Sequence, residues 1–448
     1  MPQFEMTSTK CSDTLPPRLS AKYEGSFAYF TIRDRLPVIL TKVIDTLYTY
    51  RIKAAQQYGE EGAADCKSIV SSLAKFRNEL QTDKPVLPLE SNEGADSQIW
   101  QRYLEEETQR NGGRPPSWFQ SPWLYVECYM YRRIVESIRL SKHLKSFDPF
   151  RELKDTALET SQDALVILAK YLQSTSEENG KAVDLFTEFV QISLWGNKCD
   201  LSISAGIENS QKISPLSQLK ELRDKILVDD TEKLWHVLEK ARERKAENGK
   251  VRLDIVLDNA GFELFTDLCL AEFALHTNAV DTVVLHYKAM PWFVSDVGRN
   301  DFMHTLNFLE HHENKVLQNL SKTWTERLQT GSWILQGHLF WTTPHDYSEM
   351  RSVSPELYSE LSNSDLVLLK GDLNYRKLVG DRQWEHTVPY AETLCGFHPA
   401  PHCALRTNKA DVIVGLEEGV TEQIEAVDKD WMIDGKYAVI QFCGVIQN

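Results

Sequence analysis

The chain of 448 residues has no surplus of positive charge. Its 50 Lys and Arg residues stand against 65 Asp and Glu residues, so the formal net charge is −15. Proteins that bind nucleic acid without sequence preference neutralise phosphates with an excess of basic side chains. The composition therefore excludes that class, but it leaves room for a local basic pocket that binds one small anion.

Long apolar runs, a secretory leader and paired cysteines are also missing. No run reaches the roughly 18 apolar residues that a membrane span needs, and the amino terminus has no apolar leader segment. The eight cysteines form no C-x-x-C pair and are too sparse for a disulfide scaffold. We therefore expect a cytoplasmic protein with reduced thiols and no membrane partner, and leave nuclear entry open.

Several common cofactor and catalytic motifs do not occur. The chain has no G-x-G, which weakens the case for NAD, FAD and the commonest S-adenosylmethionine folds. A P-loop, G-x-S-x-G and H-E-x-x-H are missing too. His398 and His402 have a zinc-like spacing, but Pro399 and Pro401 prevent the helix that usually presents such a pair. We interpret that segment as a structural loop.

Hydrophobic spacing predicts three regions along the chain. Residues 1–24 form a polar tail, residues 25–248 are mainly helical, and residues 249–448 alternate short apolar runs with helical stretches. Strand–helix–strand units of this length are typical of a parallel sheet. We expect a three-layer α/β/α, Rossmann-like sheet that is preceded by and packed with an N-terminal helical region. The predicted strands are Leu253–Leu257, Thr282–Tyr287, Trp333–Trp341, Asp365–Leu369, His402–Leu405 and Tyr437–Phe442.

Oxygen donors follow the first two of these strands. Asp258 and Asn259 come directly after the first strand, and Asp296 follows the second. Ligands of open α/β sheets bind beyond the carboxyl ends of the strands, where these side chains would meet. Carboxylate and amide oxygens suit Mg²⁺ or Mn²⁺ better than a soft metal. Helix capping by the same side chains is the structural alternative at each position.

Hydrogen-bond donors follow the next two predicted strands. One strand leads into Gly371, Asn374, Arg376 and Lys377, which resembles an anion or polyol pocket, and the other leads into residues 406–409, which predict a phosphate cradle. A solvated loop is the alternative for each segment alone. The cations expected beside the metal are Lys370, Arg376, Lys377, Arg406 and Lys409.

Together these segments resemble the damage-control metal-dependent phosphatases. The resemblance is to the subfamily with an R-T-x-K motif, of the acidic-residue methyltransferase or sugar phosphate phosphatase type, and it runs from about residue 25 to residue 445. The segments that carry it are GSFAYFTIRDRLP, SPWLYVECYMYRR, ISLWGNKCDLS, VLDNAGFEL, PWFVSD, LLKGDLNYRKLVGDR, GFHPAP and RTNK.

The resemblance implies a metal-dependent phosphatase of metabolite damage control. Its substrates would be small phosphorylated metabolites such as fructose 1-phosphate and fructose 6-phosphate, and its metal would be Mn²⁺, Ni²⁺, Co²⁺ or Mg²⁺. Asp258, Asn259 and Asp296 would bind the metal. Asn197 and Asp200 match a further motif, with helix capping as the alternative. The implied substrate-binding residues are Asp258, Asn259, Asp372, Leu373, Asn374, Tyr375, Arg376 and Lys409, the last within the motif Arg406, Thr407, Asn408, Lys409.

Phosphoryl transfer at such a site has two open routes. Water attacks the phosphorus in line, or Asp258 attacks and forms an aspartyl-phosphate. The turn after the first strand lacks a second Asp two residues further on, which Asp-x-Asp phosphatases use for acid–base work. We therefore favour water, with Asp258 and Asn259 as the catalytic residues and Lys409 and Arg376 stabilising the phosphoryl oxygens.

Two other functions remain open at this point. The same subfamily is described as S-adenosylmethionine-dependent protein-glutamate O-methyltransferases linked to the DNA damage response, which would add S-adenosylmethionine as a cofactor and a protein partner. No G-x-G loop supports that activity here. A non-enzymatic helical adaptor is the other alternative, suggested by the helical half of the chain and its eleven tryptophans.

Overall fold

The computed structural model describes residues 15–91, 94–175, 182–196, 221–245 and 249–444. In these residues a single seven-stranded sheet lies between layers of helices. The strands are β1 (Ile226–Asp229), β2 (Arg252–Val256), β3 (Thr282–Lys288), β4 (Trp333–His338), β5 (Leu366–Lys370), β6 (His402–Thr407) and β7 (Ala438–Cys443). The mixed α/β architecture predicted from the sequence is confirmed.

The sheet order is β1-β7-β6-β5-β2-β3-β4. All neighbouring strands are parallel except β6 and β7. The chain leaves β2 toward β3 and β4 on one side, whereas β5 and β6 lie on the other side. The boundary between β2 and β5 is therefore the topological switch point, where ligands of open α/β sheets bind.

Helices cover both faces of this sheet, which explains why its central strands are apolar almost throughout. The helices are α1 (Phe27–Phe30), α2 (Leu36–Gln81), α3 (Ser97–Arg110), α4 (Trp123–Arg139), α5 (Arg151–Glu159), α6 (Gln162–Thr175), α7 (Ala182–Leu194), α8 (Thr231–Arg244), α9 (Phe262–His276), α10 (Arg299–Glu310), α11 (Lys315–Thr330), α12 (Met350–Val353), α13 (Pro355–Leu361), α14 (Gly371–Leu378), α15 (Tyr390–Thr393) and α16 (Val420–Glu425). A π-helical turn, Thr31–Arg35, joins α1 to α2. Of the helices described, none has the length and apolarity that crossing a membrane demands.

The hydrophobic core extends across the helical region and the sheet. One cluster extends from Leu19 to Cys443 and includes most of α4, so the helical region and the sheet share a core. The described end of the predicted polar tail is also packed, because the Leu19 amide donates to Asp381 and its carbonyl accepts from Trp123. Strand β1 lies within the predicted helical region and pairs with β7 at the edge of the sheet.

One predicted strand is shorter than expected. The apolar run Trp333–Trp341 predicted a strand of nine residues, but β4 ends at His338. The His338 side chain accepts a hydrogen bond from the Phe340 amide and caps the 3-10 turn Leu339–Thr342. A side-chain cap of this kind competes with the ladder for the backbone, and apolar content alone does not reveal it.

A buried ion pair in the helical region gives a stability prediction. Arg132 of α4 bonds Asp96 through Nε and Nη2, and both residues are about 1% exposed. We expect Asp96→Ala to lower the free energy of unfolding by about 3–5 kcal/mol, because Arg132 is left as an unpaired buried charge. Urea denaturation followed by circular dichroism measures the effect.

The control for this variant is Asp34→Ala. It removes the partner of Arg33 from a pair whose side chains are 46% and 57% exposed. Exposed pairs contribute little, so the denaturation midpoint should not move. Equal midpoints for both variants and the wild type would show that the buried pair contributes no net stability.

Candidate active site

The predicted site residues follow four strands that are adjacent in the sheet. Strands β6, β5, β2 and β3 lie side by side in that order, and their carboxyl ends meet at the same edge. Asp258 follows β2, Asp296 follows β3, Asp372 follows β5 and Lys409 follows β6. The sheet thus brings together the four loops that the sequence predicted separately.

The carboxylate of Asp258 lies against the backbone of Gly371. Gly371 has φ +86°, and a Cβ atom built on it would lie 2.0 Å from Asp258 Oδ2. Since real Cβ atoms do not approach an oxygen so closely, only glycine fits at the start of α14. The backbone at the end of β5 therefore encloses the Asp258 carboxylate and keeps it at the switch point.

The Asn259 amide has a defined orientation. Its Nδ2 donates to Asp258 Oδ2 at 2.7 Å and to Glu263 Oε2 at 2.8 Å, and its Oδ1 accepts from the Ser295 hydroxyl. Carboxylates accept hydrogen bonds and do not donate them, so the nitrogen must face the two acids. The amide oxygen keeps a second lone pair for a further ligand.

The loops after β2 and β3 are tied to each other by backbone hydrogen bonds. The Val297 amide donates to the Asp258 carbonyl and the Ala260 amide donates to the Ser295 carbonyl, each at 2.8 Å. These bonds form a short antiparallel bridge between Asn259 and Asp296. The three predicted metal ligands therefore belong to one rigid backbone unit.

Asp296 has a buried carboxylate oxygen without a hydrogen-bond partner in the described part of the chain. The residue is 3% exposed, and the oxygen is Oδ2. Its nearest cation is Lys288 Nζ at 3.4 Å, which is within ion-pair distance but outside good hydrogen-bond geometry. A buried carboxylate oxygen with one incomplete partner is an atom that a cation would satisfy.

Burial and neighbouring negative charges raise the pKa values of both carboxyl groups, Asp258 and Asp296. Burial raises the pKa of Asp296 to about 6, against the opposing effect of Lys288. The pKa of Asp258 is raised well above its usual range, first by burial and then by the charges of Glu263 and Asp296. Clustered buried carboxylates are destabilised when ionised, and a bound divalent cation relieves that cost.

This donor set fits a hard divalent cation. It offers two carboxylates and one amide oxygen, the ligand types that Mg²⁺ and Mn²⁺ prefer. Within the described ranges, no group of three or more His, Cys, Asp or Glu side chains is arranged to hold a metal. Any metal at this place thus depends on Asn259 as well as on the two acids.

Lys288 is a site residue that the sequence reasoning missed. It is the last residue of β3 and is 2% exposed, and its Nζ donates to the Leu257 carbonyl at 2.8 Å. The sequence did contain a signal for Lys288. A lysine at the end of an apolar strand is expected to be buried and to need a buried partner. The partner is Asp296, eight residues further along the chain.

Four of the five predicted cations are engaged with other protein groups. The site therefore offers an anion fewer positive charges than the sequence predicted. Arg376 is 2% exposed and bonds Asp381 and Glu127, with its guanidinium 3.6 Å from the centre of the Trp123 ring. This arrangement differs from the expected role of Arg376 on phosphoryl oxygens. Buried arginine needs carboxylate partners, and here Glu127 of α4 supplies one of them.

The lysines on β5 and α14 are also engaged. Lys370 Nζ lies 3.0 Å from Asp267 Oδ1 and donates to the hydroxyl and carbonyl of Ser193. Lys377 Nζ donates to the carbonyls of Phe340 and Thr343, and burial lowers its pKa to about 7. Neither lysine is available to an anion in this arrangement.

The two cations of the R-T-x-K segment, Arg406 and Lys409, have different environments. Arg406 is fully buried and donates to Asp372 Oδ1 at 2.7 Å and to the carbonyls of Ala410 and Val412. The Lys409 amide donates to the same Asp372 oxygen at 3.1 Å. In the part of the chain that the structure describes, the Lys409 ammonium has no hydrogen bond or ion pair, so it alone of the five is free for a phosphate.

The remaining predicted residues shape the loops. Asn374 Nδ2 donates to the Lys370 carbonyl and its Oδ1 accepts from Tyr347, while Tyr375 donates to Gln441. Leu373 and Thr407 are mostly buried. Asn408 is fully buried and, within the described residues, its side-chain amide has no hydrogen-bond partner.

Two further sequence interpretations concern residues outside the four loops of the site. His402 Nδ1 contacts the Ala400 carbonyl, and the rings of His398 and His402 are 6.2 Å apart. These contacts agree with a structural loop. Asn197 and Asp200 lie outside the described residues.

The chain is similar to known proteins over almost its whole length. Residues 31–424 match the model of the damage-control phosphatase ARMT1-like domain. The chain belongs to this family. It is 51% identical over 436 residues to damage-control phosphatase ARMT1 of Xenopus tropicalis, with 95% of this chain and 98% of that protein covered. The Danio rerio protein of the same name is 50% identical, with 96% and 97% covered, and the human one is 45% identical, with 96% and 99% covered.

The family membership confirms the resemblance found in the sequence. The match runs from α2 to the last turn of α16 and so includes all four strand ends of the site. The relatives have nearly the same length as this chain, so the helical region and the sheet occur together in them. The ARMT1-like match thus includes most of the helical region as well as strands β1 to β6.

A prediction follows from the contact between Gly371 and Asp258. We expect Gly371→Ala to abolish Mn²⁺ binding in calorimetry, because the new Cβ occupies the position of the carboxylate. The positive φ adds a stability cost of about 1–2 kcal/mol. Gly396→Ala is the matched control, because Gly396 has φ +91° and nothing within 4 Å of its Cβ position. Equal Mn²⁺ affinity in the two variants would contradict the prediction.

The raised pKa of Asp296 predicts a pH dependence of metal binding. A carboxyl with a pKa of about 6 is protonated below that pH, so a cation must displace the proton. We expect Mn²⁺ affinity to fall by about tenfold per pH unit below pH 6 for each proton displaced. Lys288→Met should move the onset to higher pH, because Lys288 lowers this pKa. An affinity that is constant between pH 7 and pH 5 would refute the prediction.

Proposed function

We propose that this protein is a divalent-metal phosphatase that hydrolyses small phosphorylated metabolites in metabolite damage control. The single observation that carries the proposal is the pairing of charges at the switch point. Asp296 Oδ2 has no hydrogen-bond partner among the described residues, and neither has the ammonium of Lys409, which follows β6 at the same edge of the sheet. Lys409 also lowers the pKa of Asp258, which supports assigning the cation and the acids to one site. Family membership supports the same reaction.

The metal ligands would be Asp258, Asn259 and Asp296. A bound Mg²⁺, Mn²⁺, Co²⁺ or Ni²⁺ ion would neutralise charge on the phosphoryl group and lower the pKa of coordinated water. Asn259 would contribute its Oδ1, since its nitrogen is directed at Asp258 and Glu263. Lys288, whose Nζ lies 3.4 Å from Asp296 Oδ2, would offset part of the negative charge of the acids.

The phosphoryl group would be held by Lys409 and by the start of α14. Backbone amides in the first turn of a helix are unpaired donors and favour anions. Gly371 and Asp372 begin that turn directly beside Asp258. Segment 372–376 would therefore contact the substrate through its backbone, whereas the Arg376 side chain supports the loop through Asp381.

We infer that water is the nucleophile. Asp258 is enclosed by Gly371 and hydrogen-bonded to Asn259, so its Oδ2 has little freedom to attack phosphorus. Burial raises the pKa of Asp258, and a carboxyl group of raised pKa is better suited to orient water and accept a proton than an ordinary surface carboxylate. Fructose 1-phosphate and fructose 6-phosphate are the substrates we propose first, on the strength of the family resemblance.

A panel of phosphate esters tests the function. The wild-type protein should hydrolyse sugar phosphates with Mg²⁺, Mn²⁺, Co²⁺ or Ni²⁺ and lose activity in chelator. We expect Asp258→Ala to be inactive and Lys409→Ala to lose about 10²-fold in kcat/KM, because a preorganised charge for the phosphoryl oxygens is removed. Lys429→Ala removes an exposed lysine and should change nothing.

Two results would contradict the proposal. One is hydrolysis that survives chelator or Asp258→Ala, and the other is an unchanged kcat/KM in Lys409→Ala. The same preparations are titrated with S-adenosylmethionine in a calorimeter. Binding of that compound by a protein that hydrolyses no phosphate ester would favour the methyltransferase alternative.

A further inference from the structure

The loop that delivers Asp296 turns sharply without a glycine. Phe293 has φ +41° and Val294 has φ +71°. A positive φ is uncommon in residues other than glycine, and for a β-branched residue such as valine it is a genuine outlier. Among the described residues, these two form the only consecutive pair of non-glycine residues with positive φ, and Val294 is the only β-branched one.

The hydrogen bonds show how tight this turn is. The Ser295 amide donates to the Phe293 carbonyl at 2.9 Å, which closes a three-residue turn around Val294. With a positive φ at the central residue, this is the rare and strained form of the γ-turn. The Asp296 amide then donates to the Trp292 carbonyl at 3.2 Å, so the whole segment is compressed.

This turn controls the positions of two groups at the site. The residue directly after Val294 is Ser295, whose hydroxyl donates to Asn259 Oδ1 and whose carbonyl accepts from Ala260. The next residue is Asp296. A relaxed loop would move Ser295 and Asp296 together and would release the orientation of the Asn259 amide.

The helical region holds the turn in this conformation. The Phe293 ring stacks on Tyr131 of α4 with centroids 4.7 Å apart and planes at 25°. The Trp292 ring lies 5.8 Å from each of these two rings. Tyr131 is 1% exposed, so it is itself fixed by the core. Strained backbone persists only where the surrounding structure over-determines it, and this aromatic contact provides that support.

We propose that the Val294 turn, clamped by Tyr131, is a positioning device for the metal site that is maintained at the expense of fold stability. Val294 and Tyr131 act through Ser295 and Asp296 and are positioning residues, not ligands. The inference rests on the proposed function, because it assigns the turn to the same metal site. It also gives the helical region a role at the site, since α4 supplies the clamp.

The decisive variant is Val294→Gly. Glycine adopts a positive φ without cost, so this change frees the turn, but it also removes side-chain packing. Val294→Ala is the matched control, because it loses the same two methyl groups and keeps a Cβ atom that restricts φ. Asn278→Gly is the positional control, because Asn278 has φ +56° in an exposed turn after α9.

The measurements are Mn²⁺ affinity by calorimetry and the Tm of each metal-free protein. We expect Val294→Gly to bind Mn²⁺ about 10–100-fold more weakly, the usual effect of removing support behind a metal ligand. Its Tm should equal or exceed that of Val294→Ala, which should bind Mn²⁺ as the wild type does. Asn278→Gly should retain the wild-type affinity.

Two substitutions test the clamp separately. Tyr131→Phe preserves the stacked ring and should keep the Mn²⁺ affinity. Tyr131→Leu fills a similar space without a ring and should weaken Mn²⁺ binding by about tenfold, within the range for indirect ligand support. Circular dichroism of both variants checks that they remain folded.

The outcomes separate this inference from the proposed function. If the wild-type protein binds no Mn²⁺, the proposed function fails. If the wild type binds Mn²⁺ and Val294→Gly binds it equally well, the positioning role is wrong. Equal losses of affinity in Val294→Gly and Val294→Ala would also overturn it, because they would assign the effect to side-chain packing and not to the backbone.

Discussion

The close contact between Gly371 and the Asp258 carboxylate is the constraint on which the site depends. In the sheet, Val256 of β2 is paired with Leu369 of β5, so the residues two positions further on, Asp258 and Gly371, face each other. A shift of the register by one residue would place a side chain against the carboxylate. The register of β2 and β5 therefore determines the position of the Asp258 carboxylate.

The sequence was sufficient to predict the strands and the loops of the site, because those signals are local. An apolar run of five residues ending in Asp or Lys predicts a buried strand with a polar end, wherever that strand lies in the sheet. Strand β1 was not predicted, because its residues give no such local signal. It has four half-buried or exposed residues, and its pairing partner β7 lies some 200 residues away in the chain.

The partners of the basic residues could not be predicted, because they are remote in sequence. Arg376 bonds Glu127, 249 residues away, and Lys370 bonds Ser193, 177 residues away. Counting cations near a strand end therefore overestimates the positive charge that a ligand meets. A buried cation usually has a buried partner, and only the fold shows which cation lacks one.

These pairings define the charge that a substrate meets at the switch point. Asp258, Asp296 and Glu263 lie around Asn259, and of the five predicted cations, all of them in the described part of the chain, only Lys409 has no partner for its side chain. Without a divalent cation, the excess of carboxylates repels a phosphate dianion, and the single lysine is too little to reverse the field. On the proposed function, the cation converts the site from one that excludes phosphate to one that binds it. If the strained Val294 turn positions Asp296 as proposed, binding of the phosphate would depend on the same loop as binding of the metal.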